Sequence, residues 1–188
     1  DTFMPCFTYH GARYCIVMGI SEEQATDELL SFVVCNSVLH DTASFSCSDE
    51  TANKLYEMCK VSDLANFFYF PTDCPHREKN GWTGDIALSA EHMLMMYSCE
   101  NSFSEWMVNV RASQLSDGQL CSIIPTTGWG FGNGPSWDAF VAYVPYYTYL
   151  YKNDRKILED NADAIYKYIL WTQSTRNEKG LVKHGLGD

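Results

Sequence analysis

Three carboxylates lie close together in one short polar segment, at Asp73, Glu78 and Asp85. Cleavage of a glycosidic bond uses one carboxylic acid that protonates the leaving oxygen and a second carboxylate that activates water or attacks the sugar. Basic side chains hold carboxylates in chosen directions. The segment also carries basic and aromatic residues, namely His76, Arg77, Lys79 and Trp82. These residue types at this spacing favour a hydrolytic site for sugars.

A charged loop between two helices is also a common feature of protein surfaces, and a motif match by itself is a hypothesis. Trp82 stands next to Gly81 and close to Gly84. A large aromatic ring in a polar loop usually covers something, because its apolar area is unfavourable in water. The residue types alone therefore leave two interpretations open, a catalytic segment and a solvated surface loop.

Helical periodicity flanks this segment on both sides. Ser48, Ser136 and Asp154 are predicted N-caps, and Ser102 with Glu105 forms a predicted capping box. The pattern predicts five helices, over residues 48–66, 85–97, 102–116, 136–152 and 154–176. Helical hairpins in a row suit a solenoid or a toroid of paired helices, and the lack of a fixed repeat period disfavours the solenoid. The loops at 71–84 and 118–135 are expected on one face, where a site can be built.

Residues 1–47 have a different character, rich in β-branched and aromatic residues. Three strands are predicted, at Phe7–Tyr9, Tyr14–Met18 and Phe32–Val38, with His10-Gly11 as a turn between the first two. This is too little sheet to stand alone. The strands are interpreted as the end of a β-sandwich, and the alternative is a β-appendage of the helical domain.

The composition narrows the possible partners. A net charge of −11 makes nucleic acid an unfavourable partner, because the phosphate backbone is also negative. No apolar run reaches the length of a membrane span, so no membrane insertion is expected. The eight cysteines show no CxxC spacing, and neither a structural metal nor a cofactor is indicated. The compartment stays open between the periplasm and the cytoplasm of a bacterium.

The segment at 73–85, DCPHREKNGWTGD, closely resembles the signature of bacterial and fungal α-L-rhamnosidases of glycoside hydrolase family 78. Other segments resemble this family in the same order along the chain. They are FTYHGARY at 7–14, FSCSDE at 45–50 with NKLY at 53–56, GPSWDA at 134–139, and Gly187-Asp188 as the start of a Gly-Asp-Trp motif.

The resemblance implies a mainly α fold, the N-terminal half of an (α/α)6 barrel preceded by the last strands of a β-sandwich. Residues 1–47 would be the end of that β-sandwich or a linker. Residues 48–188 would be the first part of the catalytic barrel, truncated before its end. The protein would then release terminal α-L-rhamnose from glycans or glycosides by acid–base catalysis with inversion.

Residue by residue, the resemblance implies that Glu78 is the general acid. The general base is a glutamate expected beyond residue 188, so this segment alone is predicted to be inactive. Asn80 departs from the family pattern, which often has an apolar residue there. Six positions match substrate-binding residues of the sugar pocket: Asp73, Arg77, Trp82, Asp85, Trp137 and Asp188. The aspartates would bind hydroxyls, the tryptophans would line the pocket beside the C6 methyl of rhamnose, and the arginine would orient a carboxylate.

Three alternatives remain beside this interpretation. The first is an (α/α)6 glycosidase for another sugar, which would turn over a glucoside or fucoside. The second is a non-catalytic carbohydrate-binding protein that keeps the pocket without turnover. The third is a helical interaction protein, in which Asp73, Glu78 and Asp85 would point apart into solvent.

Overall fold

The computed structural model describes residues 3–37, 39–182 and 185. Within these residues the chain forms six α-helices: α1 (Glu50–Ala65), α2 (Thr83–Met96), α3 (Glu100–Ser113), α4 (Pro135–Asp138), α5 (Phe140–Lys152) and α6 (Arg155–Ser174). The strands in this part of the chain are two-residue strands: β1 (His40–Asp41), β2 (Phe67–Phe68), β3 (Phe70–Pro71) and β4 (Tyr97–Ser98). β1 pairs antiparallel with β4, and β2 with β3. The predicted helical character is confirmed.

The helices differ in how much of their surface is covered. α2 has buried residues around most of its circumference, and α5 packs along it. α6 packs on α5 and buries a single stripe of residues, Ile157, Asn161, Ala164 and Tyr168. That spacing is typical of a helix with one face on the core and the other in water. α2 is thus an inner helix and α6 an outer one.

The helix starts follow capping chemistry only in part. Asp154 caps α6 as predicted, since its carboxylate accepts hydrogen bonds from the backbone N–H groups of Lys156 and Ile157. In α1 the cap is Asp49 and not the predicted Ser48, because the Asp49 carboxylate accepts the Thr51 N–H at 2.7 Å. Both side chains are capping types, and only the backbone path decides which one reaches the first turn.

The other predicted starts are wrong by a few residues. α3 begins at Glu100, directly after β4, so the predicted capping residues Ser102 and Glu105 lie inside the helix. The predicted helix at 136–152 is two helices, α4 and α5, with Gly134 before the first. α2 begins at Thr83, which places Asp85 in its first turn.

The strands predicted near the beginning of the chain do not form. Across residues 3–37 the only regular element is a 3-10 turn at Glu22–Gln24. Tyr14, Ile16 and Phe32 are exposed there. A strand needs a paired strand along its length for its backbone N–H and C=O groups, and within the described residues no strand pairs with this segment. Val38, at the end of the third predicted strand, lies outside the described residues.

The state of the cysteines and the length of the helices complete the description of residues 3–37, 39–182 and 185. All eight cysteines lie within these residues, and each carries a free thiol. None of the described helices is both long enough and apolar enough to cross a membrane.

Candidate active site

The polar segment between β3 and α2, residues 72–82, is called the acidic loop below. Asp73 closes it into a compact ring with Asn80. The Asp73 N–H donates to the Asn80 carbonyl at 3.0 Å, and the Asn80 N–H donates to the Asp73 carboxylate at 2.9 Å. Lys79 adopts a positive φ of 55° between these anchors, a backbone conformation that side chains seldom take. The loop is therefore held in one path by its own polar groups.

Glu78 projects from this ring and is oriented from two sides. The indole Nε1–H of Trp82 donates a hydrogen bond to Glu78 Oε2 at 2.9 Å. The Glu78 backbone N–H points at Cys74 Sγ, 3.2 Å away. The Arg77 guanidinium lies 3.5 Å from Glu78 Oε1, but its side chain is 78% exposed, so this ion pair is weak. The Glu78 carboxyl is fixed mainly by Trp82.

Asp85 lies in the first turn of α2, near Asp73 and Glu78. Burial raises the pKa of its carboxyl above the usual value, and the negative charges of Asp73 and Glu78 raise it further. The structure thus brings the three predicted carboxylates near enough to influence each other. Asp73 is half-buried, whereas Glu78 and Asp85 keep much of their surface in water.

A cleft of about 340 Å³ opens between α1 and α2, and Asp73 and Asp85 both line it. Its far side holds His92, whose Nε2 lies 2.9 Å from Asp63 Oδ1. The hydrogen bond to Asp63 raises the pKa of His92 above its usual value. The cleft is therefore lined by hydrogen-bonding groups of the kind that a polyhydroxylated ligand requires.

A second loop, residues 118–134, lies against the acidic loop and is called the glycine-rich loop below. A backbone hydrogen bond of 2.8 Å joins them, from Ile124 N–H to the Gly81 carbonyl, and a second of 2.8 Å runs from Thr83 N–H, at the start of α2, to the Ser122 carbonyl. A Cβ atom on Gly81 would overlap the Ile124 carbonyl oxygen, so only glycine permits this approach. The two loops form one unit around Trp82.

Trp137, on α4, is brought to the start of α2. A Cβ atom on Gly84 would come within 2.5 Å of the Trp137 ring, so the ring packs directly on the helix backbone. The Trp137 indole nitrogen is buried and makes no hydrogen bond with any described residue. The Trp137 ring therefore packs beside Gly84, the residue directly before Asp85. Asp188, the last predicted pocket residue, lies outside the described residues.

Two residues next to the predicted site were not singled out from the sequence. Trp129, in the glycine-rich loop, packs edge-to-face on Trp82 with ring centroids 6.0 Å apart. Asp138 follows Trp137 and is buried behind it, with Oδ1 3.5 Å from the Ser122 hydroxyl. Flanking glycines at 128 and 130 were a signal for Trp129. Asp138 gave no signal of its own, since its burial depends on residues far along the chain.

The buried Asp138 carboxyl predicts a pH-dependent stability. Burial raises the pKa of Asp138 to about 7, and interactions with Tyr168 and Ser122 offset only part of this. The folded protein therefore holds this proton up to a higher pH than the unfolded chain does. The resulting stabilisation is complete below the unfolded pKa, near 3.8, and is lost as the pH rises towards 7.

The variant Asp138→Asn keeps the neutral form at every pH. The free energy of unfolding of the variant, relative to that of wild type, is expected to rise by about 4 kcal/mol between pH 4 and pH 8. Urea denaturation across this pH range measures the difference. Asp163→Asn, an exposed aspartate on α6, is the matched control and should show a nearly constant difference. A constant difference for Asp138→Asn as well would contradict the prediction.

Comparison with known proteins places this geometry in a family. Residues 40–188 match the family model of the bacterial alpha-L-rhamnosidase 6 hairpin glycosidase domain. An alpha-L-rhamnosidase of Streptomyces avermitilis is 31% identical over the whole of this chain, which covers 18% of that protein. The chain spans about a fifth of the length of the curated relatives it matches.

Solved structures agree with the family match. The native α-L-rhamnosidase of Aspergillus terreus is similar over 99% of this chain and 21% of its own, with 32% identity and a TM-score of 0.80. The S. avermitilis α-L-rhamnosidase complexed with L-rhamnose is similar over 76% of this chain and 14% of its own, with 26% identity and a TM-score of 0.73. The predicted fold class, a mainly helical part of an (α/α)6 barrel, is confirmed. The chain belongs to the family of bacterial α-L-rhamnosidase six-hairpin glycosidase domains.

Proposed function

We propose that this chain is the acid-bearing part of a glycoside hydrolase that releases terminal α-L-rhamnose from glycans or glycosides, with Glu78 as the general acid. The observation that carries the proposal is the hydrogen bond from Trp82 Nε1 to Glu78 Oε2 within the closed acidic loop. The second carboxyl oxygen, Oε1, lies 3.5 Å from the exposed Arg77 side chain, a weak contact that lets it carry a proton towards a leaving oxygen. The family match and the similarity to a rhamnosidase structure complexed with L-rhamnose support the choice of sugar.

The remaining residues of the site hold the sugar in this proposal. Asp73 and Asp85 accept hydrogen bonds from rhamnose hydroxyls, in keeping with their shared position on the cleft. Trp82 and Trp137 supply flat apolar surface for the C6 methyl group and the ring face. Arg77 is exposed and orients Glu78 only weakly. Asp188 is proposed as a further pocket residue because of the family resemblance alone.

We further propose that the reaction proceeds with inversion. Inversion requires a second carboxylate that activates water on the opposite face of the sugar, about 6.5–9.5 Å from the acid. By the resemblance this base is a glutamate beyond residue 188. The full-length protein that contains this segment is therefore expected to be active and the segment alone inactive.

The substrate test is release of 4-nitrophenol from 4-nitrophenyl α-L-rhamnoside by the full-length protein. The α-L-fucoside and the α-D-glucoside serve as controls. Selective turnover of the rhamnoside supports the proposal. Turnover of a control sugar instead would assign the site to another glycosidase, and rhamnose binding without turnover of any substrate would indicate a carbohydrate-binding protein.

The stereochemical test is the anomer that forms first. Proton NMR within the first minutes should show β-L-rhamnose before mutarotation equilibrates the anomers. Early accumulation of α-L-rhamnose would establish retention and would remove the water-activating base from the mechanism.

Trp82→Phe tests whether the indole N–H orients the acid. Phenylalanine keeps an apolar ring but cannot donate to Glu78 Oε2. Since a hydrogen bond to a charged group contributes about 1.5–3 kcal/mol, kcat should fall roughly 10- to 100-fold with a smaller change in KM. Trp171→Phe, on α6 away from the acidic loop, is the matched control. If Trp82→Phe has an unchanged kcat and pH–rate profile, Trp82 does not position Glu78.

A further inference from the structure

Trp129 has an unusual placement for a large apolar side chain. It is 53% exposed, although it lies in the glycine-rich loop directly beside the candidate active site. Its ring meets Trp82 edge-to-face at 6.0 Å, and Trp82 in turn donates to Glu78 at 2.9 Å. A half-exposed indole is thus in contact with the residue that holds the proposed acid.

The backbone around Trp129 is well anchored. The Trp129 carbonyl accepts two hydrogen bonds, from Thr126 Oγ1 at 2.8 Å and from Cys121 Sγ at 3.1 Å. The next carbonyl, of Gly130, accepts the Ser122 N–H at 2.7 Å. The Ser122 carbonyl in turn accepts the N–H of Thr83, the first residue of α2. The ring is therefore held in place in contact with water, and its exposure does not come from a free loop.

The depth of the surrounding groups indicates which part of a substrate would meet this ring. Trp137 packs on Gly84, and Asp73 and Asp85 line the cleft between α1 and α2. An enzyme that removes a terminal sugar encloses that sugar and leaves the rest of the substrate towards solvent. The general acid stands at the junction, because it protonates the oxygen between the two parts. The half-exposed Trp129 ring contacts Trp82, which donates to Glu78, so it adjoins the proposed acid and is open to the part of the substrate that stays in solvent.

We propose that Trp129 is the stacking platform for the leaving group of the substrate, and that it selects leaving groups with a flat apolar face. The inference rests on the proposed function. The shared ligand chemistry is an apolar face, which both an aromatic aglycone and the ring of a second sugar possess. Stacking on a tryptophan stabilises either one, whereas a small alkyl group offers too little area.

The experiment uses the full-length protein and three substrates: 4-nitrophenyl α-L-rhamnoside, a rhamnosyl-glucose disaccharide and methyl α-L-rhamnoside. For Trp129→Ala, kcat/KM should fall roughly tenfold on the aryl rhamnoside or the disaccharide, mainly through KM. On methyl α-L-rhamnoside it should change less than about twofold, because that leaving group does not reach the platform. Trp129→Phe should restore most of the loss.

Each outcome decides the proposal. A loss on the aryl rhamnoside alone, the disaccharide alone or both supports it and identifies the source of the apolar face. An equal loss on all three substrates, or no loss on any, overturns it. Tyr166→Ala, an exposed aromatic on α6, should leave all three values unchanged. Failure of the proposed function gives a different result, because wild type would then turn over none of the three rhamnosides. That result would also overturn the platform, which requires a leaving group to bind.

Discussion

Replacement of Glu78 by glutamine in the full-length protein is expected to lower kcat on a rhamnosyl disaccharide by roughly 10²- to 10⁴-fold. Glutamine keeps the size of the side chain, and its amide oxygen can still accept the hydrogen bond from Trp82 Nε1. It has no acidic proton to give to the leaving oxygen. KM should change little, because the sugar-binding carboxylates Asp73 and Asp85 are untouched.

The leaving group makes this prediction sharper. A sugar alkoxide leaves poorly unless it is protonated, whereas 4-nitrophenolate leaves without help. The loss of kcat in Glu78→Gln should therefore be much smaller on 4-nitrophenyl α-L-rhamnoside than on the disaccharide. Glu105→Gln, an exposed glutamate on α3, should match wild type on both substrates. Equal losses on the two substrates would assign Glu78 a role other than proton donation.

Gly81→Ala is expected to destabilise the protein by about 3 kcal/mol, a large effect for the addition of one methyl group. The new Cβ would overlap the Ile124 carbonyl oxygen and lie 2.7 Å from its carbon. That carbonyl cannot move away easily, because it also accepts the buried Trp106 Nε1–H at 3.0 Å. The backbone hydrogen bond from Ile124 to Gly81 must lengthen, and the two loops must separate.

Urea denaturation measures the effect, with Gly128→Ala as the matched control. Gly128 lies in the glycine-rich loop with a φ of 99° and with open space where a Cβ would stand. Its substitution should cost only the strain of the left-handed backbone, about 1 kcal/mol. Similar losses for the two variants would mean that the close approach of Gly81 to Ile124 does not hold the loops together. The kcat of Gly81→Ala should also fall, because Trp82, which holds Glu78, directly follows Gly81.

The helical part of the fold was largely predictable because helices are specified by local spacing. Asp154 caps α6 as predicted, and the predicted helices correspond to α1, α2, α3, α5 and α6 within a few residues. The errors occurred where two local signals competed, as with Ser48 and Asp49, or where β4 led directly into α3. The strands predicted near residues 7–18 did not form, since a strand depends on a partner that its own residues cannot specify.

The chemistry proposed for the site could be predicted from local sequence, because the carboxylates at 73, 78 and 85 and Trp82 lie in one short segment whose spacing resembles the family signature. How these residues are surrounded depends on long-range packing. Trp129 and Trp137 come to Trp82 and Gly84 from about fifty residues away along the chain, through the Gly81–Ile124 contact and the packing of α4 on α2. The burial of Asp138 has the same origin. Contacts of this kind depend on how helices pack, and local spacing carries no information about them.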